Sequence, residues 1–221
     1  SLMAQQDLPA AVRELVYGNI KVCGLTSAQA ATAAFDAGAN FGGLIFAEKS
    51  RRAVTLAQAS EIVSAVPGRY VGVFVNASVD EVVKAARELS LSAVQLHGDE
   101  DAAYWASLAG QLPDGCEIWQ ALGVSQQLPA SLHTVMAEPA VSRVLLDCQV
   151  GQEKGGTGHQ FDWSLLQDIK DKSRIVLAGG INIDVIQQAQ ATGAAIIDVN
   201  SGVEDAPGQK SADKLTALFA H

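Results

Sequence analysis

Arg174 to Glu204 reads RIVLAGGINIDVIQQAQATGAAIIDVNSGVE, and this stretch decides the fold. Ile175-Val176-Leu177-Ala178 is an apolar run too short for a helix, and it ends in Gly179-Gly180. A helical pattern follows from Asp184 to about Ala191 and is closed by Gly193. A second apolar run, Ala195 to Val199, then stops at Asn200-Ser201-Gly202. Strand, glycines, helix, strand and small polar residues make one βαβ unit. Both strands release the chain into glycine turns, where bare backbone N–H groups can approach an anion without a Cβ in the way. In an eight-stranded α/β barrel the loops after the last two strands commonly hold a phosphate. The two turns therefore point to a barrel enzyme with a phosphorylated substrate. The plainer alternative is that Gly179-Gly180 is only a tight strand-to-helix turn.

Working back towards the N-terminus, the same alternation repeats. Strands are expected at Ile20–Cys23, Phe41–Phe46, Tyr70–Val75, Ala93–Leu96, Glu117–Leu122 and Arg143–Leu146, ahead of the two in the opening stretch. Helices are expected over Ser27–Ala37, Thr55–Ala65, Ser78 to about Leu89, Asp101–Ala109, Phe161–Ile169 and Ala212–Phe219. Gly123 to Pro139 is the least periodic section, with room only for a short helix. Eight strand–helix units in about 200 residues predict a single-domain (β/α)8 TIM barrel, whereas a flavodoxin-like sheet needs only five strands. Ser1 to Tyr17 stands apart as an amphipathic helix, with Asp7 as N-cap and Gly18 as terminator, which the first strand–helix unit does not require.

Composition narrows the class. Hydrophobic residues are 48% of the 221, but aromatics only 5%, so the core is aliphatic and suits parallel strands covered by helices. The net charge of −9, without basic runs, argues against a nucleic-acid or anionic-membrane partner. Cys23, Cys116 and Cys148 are odd in number and match no metal spacing, as in a reducing cytosol. Without a signal peptide or a run of membrane-spanning length, the expectation is a cytoplasmic protein.

Catalytic residues of such barrels sit at the C-terminal ends of strands. The candidates by that rule are Cys23, Arg52, Asn76, Gln95, His97, Asp147 and Asp198. A thiol at Cys23 could serve as base or nucleophile if nearby positive charge lowers its pKa, or it could be a small buried hydrophobe. Asp147 could be a general acid or could cap loop backbone. The two together form a better pair than either singly, one taking a proton from carbon while the other gives one to oxygen. His97 could be structural or a base. Arg51 and Arg52, after strand two, offer a bidentate carboxylate grip or solvated surface. Gly155-Gly156-Thr157-Gly158 looks like a mobile lid in a polar loop from Cys148 to Gly158. No cofactor fingerprint or metal cluster is present, so neither a cofactor nor a metal is expected.

Four stretches carry a resemblance: Lys21-Val-Cys-Gly-Leu-Thr26, Val94-Gln-Leu-His-Gly98, Gly155-Gly-Thr-Gly-His-Gln-Phe-Asp-Trp163, and Leu177-Ala-Gly-Gly-Ile181 with Asp198-Val-Asn-Ser-Gly-Val-Glu204. Together they resemble phosphoribosylanthranilate isomerase, an enzyme of tryptophan biosynthesis, from Asn19 to the C-terminus. The resemblance implies an Amadori rearrangement with Cys23 as general base and Asp147 as general acid. It also implies Arg52 on the anthranilate carboxylate, Gln95, His97 and Asp198 around the substrate, and phosphate on Gly180, Ser201 and Gly202, with Gly179 and Asn200 shaping the turns. Ser50-Arg51-Arg52 departs from the family's usual Ser-Pro-Arg, which leaves the choice of arginine open. Residues 1–18 resemble the last loop and helix of indole-3-glycerol-phosphate synthase, implying a bifunctional fusion whose isomerase half is monomeric. A pentose-phosphate epimerase would want paired carboxylates and histidines around a metal. A Schiff-base aldolase would want a lysine where strand six has Asp147. A catalytically silent half of a fusion would need none of Cys23, Asp147 and the glycine turns together.

Overall fold

Asn19–Val22 begins the sheet in a computed structural model that describes residues 19–150 and 153–220. The elements in order are β1 (Asn19–Val22), α1 (Ala28–Ala37), β2 (Phe41–Ile45), α2 (Leu56–Ala65), β3 (Tyr70–Phe74) and α3 (Val79–Leu89). They continue with β4 (Ala93–Leu96), α4 (Ala102–Ala109), β5 (Glu117–Val124), α5 (Leu132–Met136), β6 (Arg143–Val150) and the short β7 (Glu153–Lys154). The chain ends with β8 (Ile175–Leu177), α6 (Ile186–Ala191), β9 (Ile196–Val199), β10 (Glu204–Ala206), β11 (Gln209–Lys210) and α7 (Ala212–Phe219). Parallel ladders run β5-β4-β3-β2-β1-β9-β8-β6, and β6 pairs back onto β5, so eight strands close on themselves. The fold is a (β/α)8 barrel, as the repeat count requires. The helix expected over Ser1–Tyr17 lies outside the described residues.

Local chemistry explains most boundaries. Ser27, Thr55, Ser78, Asp101 and Ser211 each accept a backbone N–H in the first turn of the following helix. These bonds satisfy donors that a helix start otherwise leaves orphaned. At Thr55 the bond is reciprocated by Gln58, completing a capping box. Successive strand residues face opposite sides. Outward residues such as Ile20, Val22, Leu44, Val94 and Leu146 form the layer beneath the helices. Inward residues Phe41, Val71, Ala93, Trp119, Leu145, Val176 and Ile196 plug the barrel.

Three expectations are corrected. Asp147 does not end strand six: β6 runs on through Val150, and β5 runs on to Val124, with Gly123 opposite Asp147 and Val124 opposite Cys148. The polar loop from Cys148 therefore opens as a hairpin, with Gln149 paired to Lys154 in β7. The segment Phe161–Ile169 holds a 3-10 turn at Trp163–Asp168, because the Asp162 side chain takes both the Ser164 N–H and hydroxyl. Helix α6 starts at Ile186 and not at Asp184, since the Asn182 side chain binds the Asp184 N–H in a local turn.

Candidate active site

Strand alternation determines what faces the barrel mouth. In β1 the outward pair Ile20 and Val22 leaves Lys21 pointing inward, and Cys23 follows on the same side one layer higher. Gly43 on β2 makes room for the thiol: a Cβ there would lie 2.6 Å from Cys23 Sγ. In β6 the inward residues are Leu145 and, above it, Asp147. Asp147 is buried against Gly179 on one side and Gly155 on the other, where added Cβ atoms would meet its carboxylate oxygens.

These residues line one cavity of about 220 Å³ at the mouth. It gathers Cys23, Arg52, Gln95, His97, Asp147, Asp198, Gly179, Gly180, Asn200, Ser201 and Gly202. The structure thus brings together every residue that the resemblance implicates. Asn76 is not among them. With φ of 50° it braces the turn after β4, accepting the Asp99 N–H on its side chain while its own N–H goes to Glu100. Of the two arginines, Arg52 faces the cavity and Arg51 is exposed. One wall is apolar, formed by Ile45, Ala47, Val73 and Val75, the last 46% exposed.

Electrostatics distinguishes the candidates. Burial pushes the Asp147 carboxyl up to about 7, although its Oδ1 accepts the Cys148 N–H at 2.6 Å. It therefore both caps backbone and remains partly protonated near neutral pH. Burial also pushes the Cys23 thiol up; Lys21 and Lys210 pull against it. The condition set for Cys23, a thiol lowered by nearby positive charge, is not met, because its 5% exposure costs the thiolate more than the two ammonium groups return.

Under the thiol lies a residue that sequence reasoning passed over. Lys21 is wholly buried; its Nζ donates to Gln95 Oε1 at 2.5 Å and to Asp198 Oδ2 at 3.2 Å. Burial opposes its charge, but Asp198 and Cys23 outweigh that and hold the ammonium above its ordinary range. Asp198 is pushed up by the same burial. Its second oxygen, Oδ1, is buried without a hydrogen-bond partner among the described residues. A lysine inside an apolar strand, in step with Cys23, was the available signal.

Gln95 in turn fixes His97. With Oε1 engaged by Lys21, its Nε2 donates to His97 Nδ1 at 3.1 Å, and the imidazole Nε2 donates to the Lys154 carbonyl at 3.0 Å. Burial drops His97 to about 4, so the ring is neutral and holds one tautomer. Lys154 Nζ reaches the Gly98 carbonyl at 2.7 Å, and the Gly155 N–H bonds Cys148. The glycine segment expected to be a mobile lid is therefore anchored at its start by the β6–β7 hairpin, which His97 and Lys154 fasten across the mouth.

Beside this hairpin, after the neighbouring strands β8 and β9, the two glycine turns meet. Gly179 and Gly180 have φ of 101° and 67°, a region closed to most side chains. A Cβ at Gly202 would overlap the Ile181 carbonyl, so the turn after β9 packs directly on the turn after β8. Among the described residues no three His, Cys, Asp or Glu side chains gather as a metal would need. No helix among them is long and apolar enough to cross a membrane.

Comparison with known proteins agrees with the barrel fold. Tryptophan biosynthesis protein TrpCF of Vibrio parahaemolyticus is 50% identical over 219 residues, covering 99% of this chain and 44% of that protein. TrpCF of Salmonella typhi is 49% identical over 219 residues, covering 99% of this chain and 46% of its own length. The chain thus spans about half the length of these relatives. Phosphoribosyl anthranilate isomerase from Thermus thermophilus superposes with a TM-score of 0.80 at 30% identity, over 91% of this chain and 96% of that one. A phosphoribosyl anthranilate isomerase solved with reduced 1-(o-carboxyphenylamino)-1-deoxyribulose 5-phosphate gives 0.76 at 29% identity, over the same shares of the two chains. The model of the N-(5'phosphoribosyl)anthranilate (PRA) isomerase family matches residues 20–221, and the chain belongs to that family.

Proposed function

We propose that the chain converts N-(5-phosphoribosyl)anthranilate to 1-(2-carboxyphenylamino)-1-deoxyribulose 5-phosphate in tryptophan biosynthesis, with Asp147 as general acid and Cys23 as general base. The observation that carries this reading is the single cavity lined by thiol, carboxyl and both glycine turns. Asp147, near 7, gives its proton to the furanose ring oxygen as the C1–O bond breaks and the anilino nitrogen forms the Schiff base. That cation acidifies C2–H, and the Cys23 thiolate removes the proton. Burial makes this thiolate scarce but strongly basic. The resulting enamine tautomerises to the ketose.

The remaining assignments follow the charges. Arg52 receives the anthranilate carboxylate, and the ring lies along Ile45, Ala47, Val73 and Val75. The unpartnered Asp198 Oδ1 takes a substrate hydroxyl. Gln95 and His97 hold the frame beneath it. Phosphate sits on Gly180, Ser201 and Gly202, with Gly179 and Asn200 shaping the turns. Residues 1–18 are a linker from a preceding indole-3-glycerol-phosphate synthase domain, in keeping with relatives about twice as long; the isomerase half acts as a monomer. The test is loss of phosphoribosylanthranilate fluorescence on adding the purified chain. No acceleration over the spontaneous rate would overturn the reading.

A further inference from the structure

Glu204 closes the Asp198–Glu204 motif, yet none of the roles above uses it. It begins β10 and stands directly across from Lys210 on β11. Its side chain is 3% exposed, and five donor contacts converge on its two oxygens. Arg52 Nε lies 3.0 Å from both, and Arg52 Nη2 is 2.6 Å from Oε1. Lys210 Nζ is 2.7 Å from Oε2, and the Gly208 N–H is 3.0 Å from the same atom.

The two cations lead in different directions. Glu204 grips the Nε–Nη2 edge of the guanidinium, which leaves Nη1 outside the pair on a side chain that lines the cavity. Lys210 Nζ also binds Asn200 twice, at the backbone carbonyl (3.2 Å) and at Oδ1 (2.8 Å), and so sets the turn that carries Ser201 and Gly202. Gly24 lies between the two branches: a Cβ there would fall 2.6 Å from Asn200 Oδ1 and 2.7 Å from Arg52 Cδ. Two cations against one carboxylate leave the cluster net positive, which suits a substrate bearing both a carboxylate and a phosphate.

We propose that Glu204 is a positioning residue that sets both ends of the substrate grip, aiming Arg52 at the carboxylate and, through Lys210 and Asn200, holding the phosphate turn in register. This rests on the reading of Arg52 and the glycine turns given above. A carboxylate used as a mere hairpin clip would need Lys210 and Gly208 but no arginine from the loop after β2.

The test compares wild type, E204Q and R52Q in the isomerase assay, with inorganic phosphate and anthranilate as separate competitive inhibitors. Glutamine keeps the size of Glu204 but turns one acceptor into a donor facing other donors. In E204Q we expect KM and both inhibition constants to rise tenfold or more, with kcat changed less than threefold. A clip alone would lower the active fraction and leave both constants in place; that result overturns the proposal, as does a rise in only one of them. R52Q isolates the underlying reading. An anthranilate constant unchanged in R52Q removes the premise, whereas a raised one there beside an unchanged one in E204Q refutes the positioning role alone. Should E204Q fail to fold, E204D retains the charge but withdraws it by one methylene. The same paired rise is then expected at smaller size, and its absence is equally fatal.

Discussion

Asp147 is the residue on which charge and burial disagree most usefully. A carboxyl at about 7 in the fold, against 3.8 ordinarily, favours the protonated form. The sign follows: its contribution to stability is full below the unfolded value and is lost as pH rises through the folded one. Asp147→Asn removes the titration and keeps an oxygen for the Cys148 N–H. We expect its stability advantage over wild type to grow from pH 4 to about 7 and then level, at roughly 4 kcal/mol at most, since each unit is worth about 1.4 kcal/mol. Urea denaturation across that range checks it; a flat difference would mean that the group is not buried as a neutral acid. Turnover moves the other way. Asp147→Asn and Cys23→Ser should each cost about 10²–10⁴ in kcat, the usual worth of one placed proton transfer. Inhibition by inorganic phosphate should remain, and full activity in either variant would reassign the proton steps.

At the level of elements, the β6–β7 hairpin shows what a sequence can and cannot reveal. Strand positions were legible because short aliphatic runs ended in glycine or polar residues, and the caps Ser27, Thr55 and Ser78 marked helix starts directly. The extension of β6 was not legible, because it exists only through its partner: Gly123-Val124 and Asp147-Cys148 become strand by pairing with each other. Neither dipeptide has strong β propensity alone, so tertiary pairing decides. The site divides similarly. Cys23 and the glycine turns stood at strand ends and Asp147 closed an apolar run, whereas Lys21 and Glu204 show their roles only through partners distant in sequence, Asp198 and Arg52. Gly155 fastens the hairpin, with φ of 76° and no room for a Cβ beside Asp147 and His97. Gly155→Ala should therefore displace the hairpin, costing about 1–3 kcal/mol for the strained backbone. It should lower kcat at least tenfold. Wild-type kcat in this variant would show that the hairpin does not shape the site.

The whole barrel divides into a chemical end and a mechanical end. At the base, opposite the cavity, Arg174 leads into β8 and donates to the carbonyls of Met136, Val141 and Ser142 at 2.6–3.1 Å. It binds the entry of one strand to the segment feeding another. Arg174→Ala should cost about 2–3 kcal/mol of folding stability, in the range for charge-assisted hydrogen bonds, while kcat/KM stays within twofold. Thermal melts beside steady-state kinetics would check this, and a large loss of kcat/KM would show the two ends to be coupled.

A ring of eight strands has no first member in any mechanical sense, only a place where the chain happens to enter. Here that doorway is Asn19, at the floor, paired with Ile196 and a full strand below the thiol. Entry and reactive groups thus occupy opposite faces of the same cylinder, so a substitution at the floor of β1 can be judged by its effect on folding and one at the rim by its effect on turnover.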